Sequence, residues 1–250
     1  LLFARGRVHP LRHLDETAFR HAAPDRHTVG EPVAFPEQVA LLNVPGVDPE
    51  LFSPQPSVQR TPGRLITTAS ADVALKGLAY LLEAMAKLRT ERDVTLTIIG
   101  KPKPGKSMDL IESLGLKPYI EFVSGVPDER IVELYAQAEL AVVPSLYEGF
   151  SLPAIEAMCT GTTLVATDGG ALPEVTGIDG ETVLQCPAGD ASALAAAIAR
   201  GLDDPELRAR LEADADHETG AIGQLLGEPV HPGRVARRQQ LAVEVGVGAG

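Results

Sequence analysis

The sequence predicts an α/β fold built on a doubly wound, Rossmann-like parallel sheet, and two observations predict it. From about residue 63 onward, short β-prone apolar runs alternate with helical patterns, and such β-α units give parallel strands joined by right-handed crossovers. Hydrophobic residues make up 44% of the chain, yet aromatic residues are only 4% and Trp is absent. The core must therefore consist mainly of Leu, Val, Ile and Ala, as is usual where helices pack on a parallel sheet.

The elements follow one another in a regular order. Strands are predicted at 64–68, 94–99, 120–123, 140–143, 163–166 and 181–184. Helices are predicted at 76–89, 107–114, from 128, at 152–159, from 190 to about 202, and from 204. Asp128, Asp190 and Asp204 are the expected N-caps of three of these helices, because a carboxylate there accepts from free backbone N–H groups.

Four regions are expected along the chain. Residues 1–44, rich in His, Arg and Pro without a clear period, form an irregular N-terminal remnant, and 45–62 form a Pro-rich linker. Residues 63–216 form the Rossmann-like domain, and 217–250 form an irregular C-terminal tail. The chain begins with Leu1 rather than Met, which we interpret as a sign that the sequence is a fragment.

Composition excludes several classes of function. The net charge is -12 with no long Lys or Arg run, which argues against a nucleic-acid partner. No apolar run approaches the roughly 20 residues that span a bilayer, and the N-terminus has no signal-peptide pattern. Cys159 and Cys186 have no metal-ligand spacing, so reduced thiols in a cytoplasmic protein are expected.

No metal or cofactor site is predicted. The N-terminal histidines have no Cys or paired carboxylate that would complete a ligand geometry, so a biased segment is favoured over a metal site. These histidines are His9, His13, His21 and His27. The acids of Asp214-Ala215-Asp216 are interpreted as a solvated helix face.

The strongest chemical pattern is the run from Pro144 to Met158, which follows a predicted buried strand and opens a helix. Glu148 lies in the loop at the carboxyl end of the strand, where sheets of this kind bind ligands. Glu156 lies about one turn into the helix. Between them, residues 149–152 offer backbone N–H groups at a helix N-terminus, which hold phosphate oxygens well. Since two carboxylates repel an anion, we expect them to accept from sugar and ribose hydroxyls instead.

This run resembles the Glu-(seven residues)-Glu motif of family 4 glycosyltransferases, enzymes with the two-lobed GT-B fold. Further segments of this chain that resemble the family lie, in order, from about 46 to 212. They include Gly46-Val47-Asp48-Pro49-Glu50-Leu51-Phe52, Lys76-Gly77, Phe122-Val123-Ser124-Gly125-Val126, Thr167-Asp168-Gly169-Gly170, Pro173-Glu174 and Pro187-Ala188-Gly189-Asp190. The resemblance implies that the chain is the nucleotide-sugar-binding lobe of a retaining glycosyltransferase.

The resemblance also implies a role for each matching residue. Glu148 would hold hydroxyls of the donor sugar, Glu156 would hold the ribose, and Lys76 would neutralise the diphosphate leaving group. Leaving-group stabilisation would be the main electrostatic contribution to a transition state of oxocarbenium character.

Backbone groups complete the implied site. The amides of Gly149, Phe150, Ser151 and Leu152 would hold the diphosphate. Gly125 and Val126 would contact the base through their backbone groups. The implied partners are a nucleotide-sugar donor and a carbohydrate or lipid acceptor, the latter held by the N-terminal lobe. For a full-length protein, peripheral attachment to the inner face of the membrane is left open as an alternative to a purely cytoplasmic location.

The chain departs from the family pattern in two ways that matter. The family usually carries a Gly-Arg pair five or six positions before the lysine, where this chain has Ala69 and Ser70, so one cation expected at the diphosphate is replaced by Ser70. The N-terminal lobe, with its acceptor site, is also absent, and residues 1–44 are too short to supply it. We therefore expect the isolated chain to bind a nucleotide-sugar weakly and not to transfer the sugar.

Two other functions compete with this one. A Rossmann oxidoreductase would need a Gly-x-Gly-x-x-Gly run after the first strand, but residues 69–75 contain no glycine. A non-catalytic fragment that binds nucleotide without transferring sugar stays open as the alternative. A complete upstream lobe in the gene would separate that alternative from the enzyme.

Overall fold

A computed structural model of the protein describes residues 47, 48, 50–69 and 73–213. Its centre is a six-stranded sheet in the order β3-β2-β1-β4-β5-β6, in which every neighbouring pair is parallel. The strands are β1 (Arg64–Thr68), β2 (Thr95–Ile99), β3 (Ile120–Val123), β4 (Leu140–Val143), β5 (Leu164–Thr167) and β6 (Leu184–Cys186). The predicted doubly wound, Rossmann-like α/β fold is confirmed.

Helices connect the strands and cover both faces of the sheet. They are α1 (Leu78–Leu88), α2 (Lys106–Ser113), α3 (Asp128–Gln137), α4 (Leu152–Cys159), α5 (Leu172–Thr176) and α6 (Ala191–Asp203). Short 3-10 turns cover Ala74–Lys76 and Lys117–Tyr119, and a further helical segment covers 205–213. Among the described helices, none is long and apolar enough to cross a membrane.

The sheet separates two apolar layers, because successive side chains of a strand point to opposite faces. Leu65 of β1 belongs to an apolar cluster with residues of α1, α2, α6 and the segment 205–213, whereas its neighbour Ile66 belongs to a second cluster with residues of α3, α4 and α5. Both Leu65 and Ile66 are fully buried. This double burial explains why the central strands read as continuous apolar runs rather than alternating ones.

Three predicted strands and one predicted helix match the observed bounds: β1, β3, β4 and α4. Asp190 and Asp204 are confirmed as caps, since their carboxylates accept from backbone N–H groups two or three residues ahead. The prediction that Asp128 is the N-cap of α3 was wrong. Pro127 is the N-cap of α3, and Asp128 is the first helical residue.

Other boundaries differ for local reasons. The first helix does not begin at Lys76, because Gly77 adopts left-handed backbone angles (φ 65°) and separates the 3-10 turn from α1. The predicted strand 181–184 overlaps β6 only at Leu184. Residues 178–183 form turns instead, in which Glu181 N and Thr182 N donate to Ile178 O. α5 was not predicted, because five residues with a Pro in the first turn carry too little periodicity.

The strand order places a crevice at one edge of the sheet. The chain runs outward from β1 through β2 to β3, then returns to the other side of β1 as β4. The loops that leave the carboxyl ends of β1 and β4 therefore diverge to opposite faces of the sheet, which opens a crevice where such folds bind ligands. Lys76 and Glu148 lie on these two loops.

Candidate functional site

Three loops meet at the carboxyl edge of the sheet and are tied together by backbone hydrogen bonds. The loop after β4 contacts the loop after β1, because Leu146 N donates to Leu75 O over 2.8 Å. It also contacts the loop after β5. Glu148 N donates to Gly169 O over 3.3 Å, and Glu148 O accepts from Ala171 N over 2.8 Å. The position of Glu148 is thus fixed on both sides of its own peptide group.

Glycine is required where these loops approach one another. A Cβ atom at Gly77 would lie 1.8 Å from Pro144 O, and one at Gly170 would lie 2.3 Å from Glu148 O. Both residues also have positive φ, 65° and 66°, which side-chain-bearing residues rarely adopt. Only glycine allows the loops after β1 and β5 to lie so close to the loop after β4.

The side chains of Lys76 and Glu148 meet inside this junction. Lys76 Nζ lies 2.8 Å from Glu148 Oε1, and the same oxygen accepts from Ser145 Oγ over 2.8 Å. Glu148 is buried, with 8% of its side chain exposed, whereas 32% of the Lys76 side chain is exposed. The buried carboxylate is therefore held by two donors, and the more exposed ammonium faces the crevice.

Backbone N–H groups of the loop into α4 lie next to this pair. Ser151 caps α4 by accepting from Ala154 N, and Pro153 stands in the first turn. Among the described residues, no acceptor is bonded to the amides of Gly149, Phe150, Ser151 and Leu152. A run of free amides at a helix N-terminus is suited to bind an anion.

Glu156 lies in the same helix but is more deeply buried, with 2% of its surface exposed. Its Oε2 accepts from the Tyr135 hydroxyl at 3.4 Å, and that hydroxyl lies 3.2 Å from Thr68 Oγ1 at the end of β1. The carboxylate therefore lies toward the carboxyl ends of the strands. A link through Tyr135 was not part of the sequence prediction.

The other predicted residues lie elsewhere or outside the described part. Gly125 and Val126 follow β3, the edge strand, which is separated from β4 by β2 and β1. Gly125 is exposed and has a φ of 69°. Ser70, the Asp214-Ala215-Asp216 acids and the N-terminal histidines lie outside the described residues. Within the described residues, no three His, Cys, Asp or Glu side chains converge as metal ligands would.

Sequence reasoning missed a polar frame, a set of buried threonine hydroxyls near the ends of β1 and β5 that bond to β4 and the loop after it. Thr167 Oγ1 donates to Ser145 O, and Thr67 Oγ1 donates to Val142 O over 2.8 Å. Both threonines are buried, as is Ser145. Buried hydroxyls at the ends of apolar strands are the signal that could have revealed this frame, since each needs a partner.

A buried thiol lies behind the loop after β5. Burial, together with the smaller effect of the negative charges of Asp168, Asp190 and Asp179, raises the pKa of Cys186 to about 12. Asp168 itself accepts from Ala188 N over 2.8 Å, which ties the loops after β5 and β6 together. Cys186 therefore stays a protonated, apolar group at neutral pH.

This arrangement combines groups that suit a ligand carrying both phosphate and hydroxyls. One ammonium and four free amides can contact phosphate oxygens, whereas the two carboxylates can accept from hydroxyls. The carboxylates differ in position: Glu148 lies in the crevice loop beside Lys76, and Glu156 lies within α4.

Comparison with known proteins shows which sequences and structures the chain is similar to. The family described as Glycosyl transferases group 1 matches residues 52–218 of the chain. An MMP alpha-(1->4)-mannosyltransferase from Mycolicibacterium hassiacum is 49% identical over 175 residues, which cover 69% of this chain and 42% of that protein.

Several solved structures have a similar fold, among them these two. Sucrose-phosphate synthase from Thermosynechococcus elongatus superposes with a TM-score of 0.62 at 29% identity, covering 79% of this chain and 52% of that one. Anabaena Alr3699/HepE, solved in complex with UDP-glucose, superposes with a TM-score of 0.63 at 22% identity, covering 72% and 54%, and it supports the fold alone. The chain thus spans about half the length of the relatives it matches.

Proposed function

The chain belongs to the Glycosyl transferases group 1 family, and from that premise we propose that it binds the nucleotide-sugar donor of a retaining glycosyltransferase. The observation that carries the proposal is the junction at the carboxyl edge of β1 and β4. There a Lys–Glu pair and a run of free amides lie side by side. Hydroxyl-accepting carboxylates next to phosphate-binding donors match the two chemical halves of such a donor.

The diphosphate is assigned to the amides of residues 149–152 and to Lys76. Because 32% of its side chain is exposed, the ammonium can turn from Glu148 toward a phosphate in the crevice. Positive charge and fixed N–H dipoles at that point would stabilise the charge that develops on the leaving group as the glycosidic bond breaks.

The sugar and the ribose are assigned to the two carboxylates. Glu148 lies beside Lys76 and would accept from hydroxyls of the transferred sugar, whereas Glu156 would accept from the ribose. Gly125 and Val126, on the loop after β3, would contact the base through backbone groups. Transfer with retained configuration would pass through a transition state of oxocarbenium character. The proposal assigns no step to a metal or a further cofactor.

The acceptor is assigned to a second lobe. Matched relatives are named for different reactions, a mannosyltransferase and a sucrose-phosphate synthase, so the acceptor is left as a carbohydrate or lipid hydroxyl. Orientation of that hydroxyl and exclusion of water can account for about 7–11 kcal/mol of a barrier. The proposed setting is the cytoplasm, where nucleotide-sugars would be available.

One experiment tests donor binding and transfer separately. The chain is titrated by calorimetry with a panel of nucleoside diphosphates and their sugars, and release of nucleoside diphosphate is then measured with an acceptor mixture. We expect binding of one base without turnover by the chain alone, and turnover once a complete N-terminal lobe from a relative is fused before the linker. If no nucleotide of the panel binds, the proposal is wrong. If binding is followed by no transfer in the fusion, the non-catalytic alternative is favoured.

A further inference from the structure

The proposed diphosphate site has little net positive charge of its own. Lys76 is the ammonium at the junction, and it lies 2.8 Å from the buried carboxylate of Glu148, so the pair is formally neutral. A nucleoside diphosphate carries at least two negative charges, and the chain as a whole carries a net charge of -12. Repulsion by the whole protein would oppose donor binding unless other cations lie at the same edge.

A second group of cations lies on the loop between β2 and α2 and in the first turn of α2. We call this segment, Gly100 to Ser107, the lysine loop, and it contains Lys101, Lys103 and Lys106. All three lysines are exposed. In the described part of the chain, none of them forms an ion pair. Their charge is therefore available to a ligand.

The register of the sheet places the lysine loop beside the site. Thr68 at the end of β1 pairs with Ile99 at the end of β2, so the two strands end at the same level. Ala69 N, directly after β1, donates to Ile99 O over 3.1 Å. Neighbouring strands lie about 5 Å apart. The lysine loop is therefore one strand away from the loop that carries Lys76.

A shallow recess joins the two loops. It is lined by Ala69 and Leu78 on the Lys76 side and by Lys101, Lys103 and Ser107 on the other. Leu78 follows Lys76 by two residues and begins α1. Lys101 and Lys103 thus line one surface with Leu78, two residues from Lys76, and a lysine ammonium can extend from such a surface on its flexible four-carbon stem.

Two prolines hold the lysine loop in an extended form. Lys101 and Lys103 each precede a proline, which disfavours helical angles at both lysines and fixes the backbone angle of Pro102 and Pro104. Holding these lysines in place therefore costs less backbone entropy than it would in a free loop. The loop is stiff where the charges are attached.

The spacing Gly100-x-x-x-x-Gly105-Lys106-Ser107 equals that of the phosphate-binding loop of nucleotide triphosphatases. Such loops hold phosphates with successive backbone N–H groups, whereas Pro102 and Pro104 have none. The lysine loop therefore cannot form that cradle, and its side chains, not its backbone, are the groups that can contact an anion.

We infer that Lys101 and Lys103 form the outer cationic wall of the proposed donor site and contact its diphosphate, with Lys76 on the inner side. This inference rests on the proposed function, because it assigns further residues to the same ligand. The two lysines would act on the charged part of the donor and not on its base or sugar. They would also favour a charged donor over an uncharged nucleoside while the Lys76 ammonium is still paired with the Glu148 carboxylate.

The test compares the wild-type chain with Lys101→Ala/Lys103→Ala and with Lys117→Ala. Lys117 is exposed and precedes β3, at the edge of the sheet where the strands begin. The Lys117→Ala substitution therefore removes a charge from the edge opposite the proposed site. Affinities are measured by calorimetry, at low and at physiological salt, for the nucleoside diphosphate that the wild type binds and for its parent nucleoside. Thermal unfolding of each variant checks that the fold is retained.

We expect the double variant to bind the diphosphate roughly tenfold more weakly at low salt, with a smaller loss at higher salt, because exposed charges are screened within about 8–10 Å. Nucleoside affinity and the Lys117→Ala variant should match the wild type. An unchanged diphosphate affinity in the double variant overturns this inference and leaves the proposed function intact. Equal losses for nucleoside and diphosphate overturn it as well. A wild-type chain that binds no nucleotide overturns the proposed function first.

Discussion

Lys76 and Glu148 are 72 residues apart in the sequence, yet Lys76 Nζ lies 2.8 Å from Glu148 Oε1. The two residues are brought together by the adjacency of β1 and β4, the point where the strand order reverses. Their exposure differs, with 32% of the lysine side chain and 8% of the glutamate side chain open to solvent. A ligand that enters the crevice therefore competes with Glu148 for the same ammonium.

This competition makes a prediction about Glu148→Gln. The substitution removes the negative charge that holds Lys76, so the ammonium becomes free to contact phosphate. We expect affinity for a bare nucleoside diphosphate to rise by roughly three- to tenfold, because a like-charged neighbour of the ligand is lost. Preference for the nucleotide-sugar over the nucleotide should fall, since a carboxylate acceptor of sugar hydroxyls is lost too.

Calorimetry with both ligands tests this prediction. Glu174→Gln is the matched control, because Glu174 is an exposed acid in the first turn of α5. This substitution removes the same charge from a residue that does not contact Lys76. A loss of affinity for the bare nucleotide in Glu148→Gln would show that Lys76 is not the ammonium that contacts phosphate.

Glu156→Gln should act on a different part of the ligand. If this carboxylate holds the ribose, nucleotide affinity should fall by about 1–3 kcal/mol, the usual cost of losing a charged acceptor. The loss should be the same with and without the sugar. Tyr135→Phe is the control, because it removes the hydroxyl that contacts Glu156 at 3.4 Å and keeps the carboxylate. An effect of Tyr135→Phe as large as that of Glu156→Gln would indicate a structural role for the carboxylate.

The sequence predicted the fold well because the elements carry strong local signals. Strands buried on both faces appear as unbroken apolar runs, and Asp190 and Asp204 cap their helices as expected. The predictions were weakest between β5 and α6. There α5 is too short for a period, and the chain from Ile178 to Val183 is shaped by side-chain bonds such as Thr182 Oγ1 to Thr176 O.

The site was predictable as a list of residues but not as a geometry. The Glu-(seven residues)-Glu spacing placed Glu148 in a loop and Glu156 in a helix, as observed. No local pattern shows that Lys76 would be bonded to Glu148, or that the Tyr135 hydroxyl would lie between Glu156 and Thr68. Those contacts arise from strand order and register, which depend on residues far apart in the chain.

Gly77→Ala should damage the fold at the site itself. The added Cβ would lie 1.8 Å from Pro144 O, a backbone atom that cannot move without shifting β4, and the residue would also be strained at a φ of 65°. We expect a loss of about 3 kcal/mol or more in the free energy of unfolding.

Gly125→Ala separates these two effects. Gly125 has a similar φ of 69°, but nothing lies within 4 Å of an added Cβ. Its substitution should therefore cost only the backbone strain, about 1–2 kcal/mol. Urea unfolding of both variants measures the difference, and equal losses would mean that the loops after β1 and β4 do not approach as closely as described.

The last prediction concerns the pH dependence of stability. The pKa of Cys186 is raised to about 12 by burial and by the acids around it, whereas a thiol in an unfolded chain has a pKa of about 8.5. Below about pH 8.5 the thiol is protonated in both states, and its contribution to stability is fully present. As the pH rises from there toward 12, the unfolded state loses the proton first. Stability should then fall by about 1.4 kcal/mol per pH unit from this group.

Cys186→Ala removes that titration. Urea unfolding between pH 7.5 and pH 10.5 should show that the wild type loses stability more steeply above about pH 8.5 than Cys186→Ala does. The alanine variant is expected to differ from the wild type by a constant amount at lower pH, because the side chain is smaller. Parallel curves for wild type and Cys186→Ala across the range would show that the thiol is not shielded from solvent behind the loop after β5.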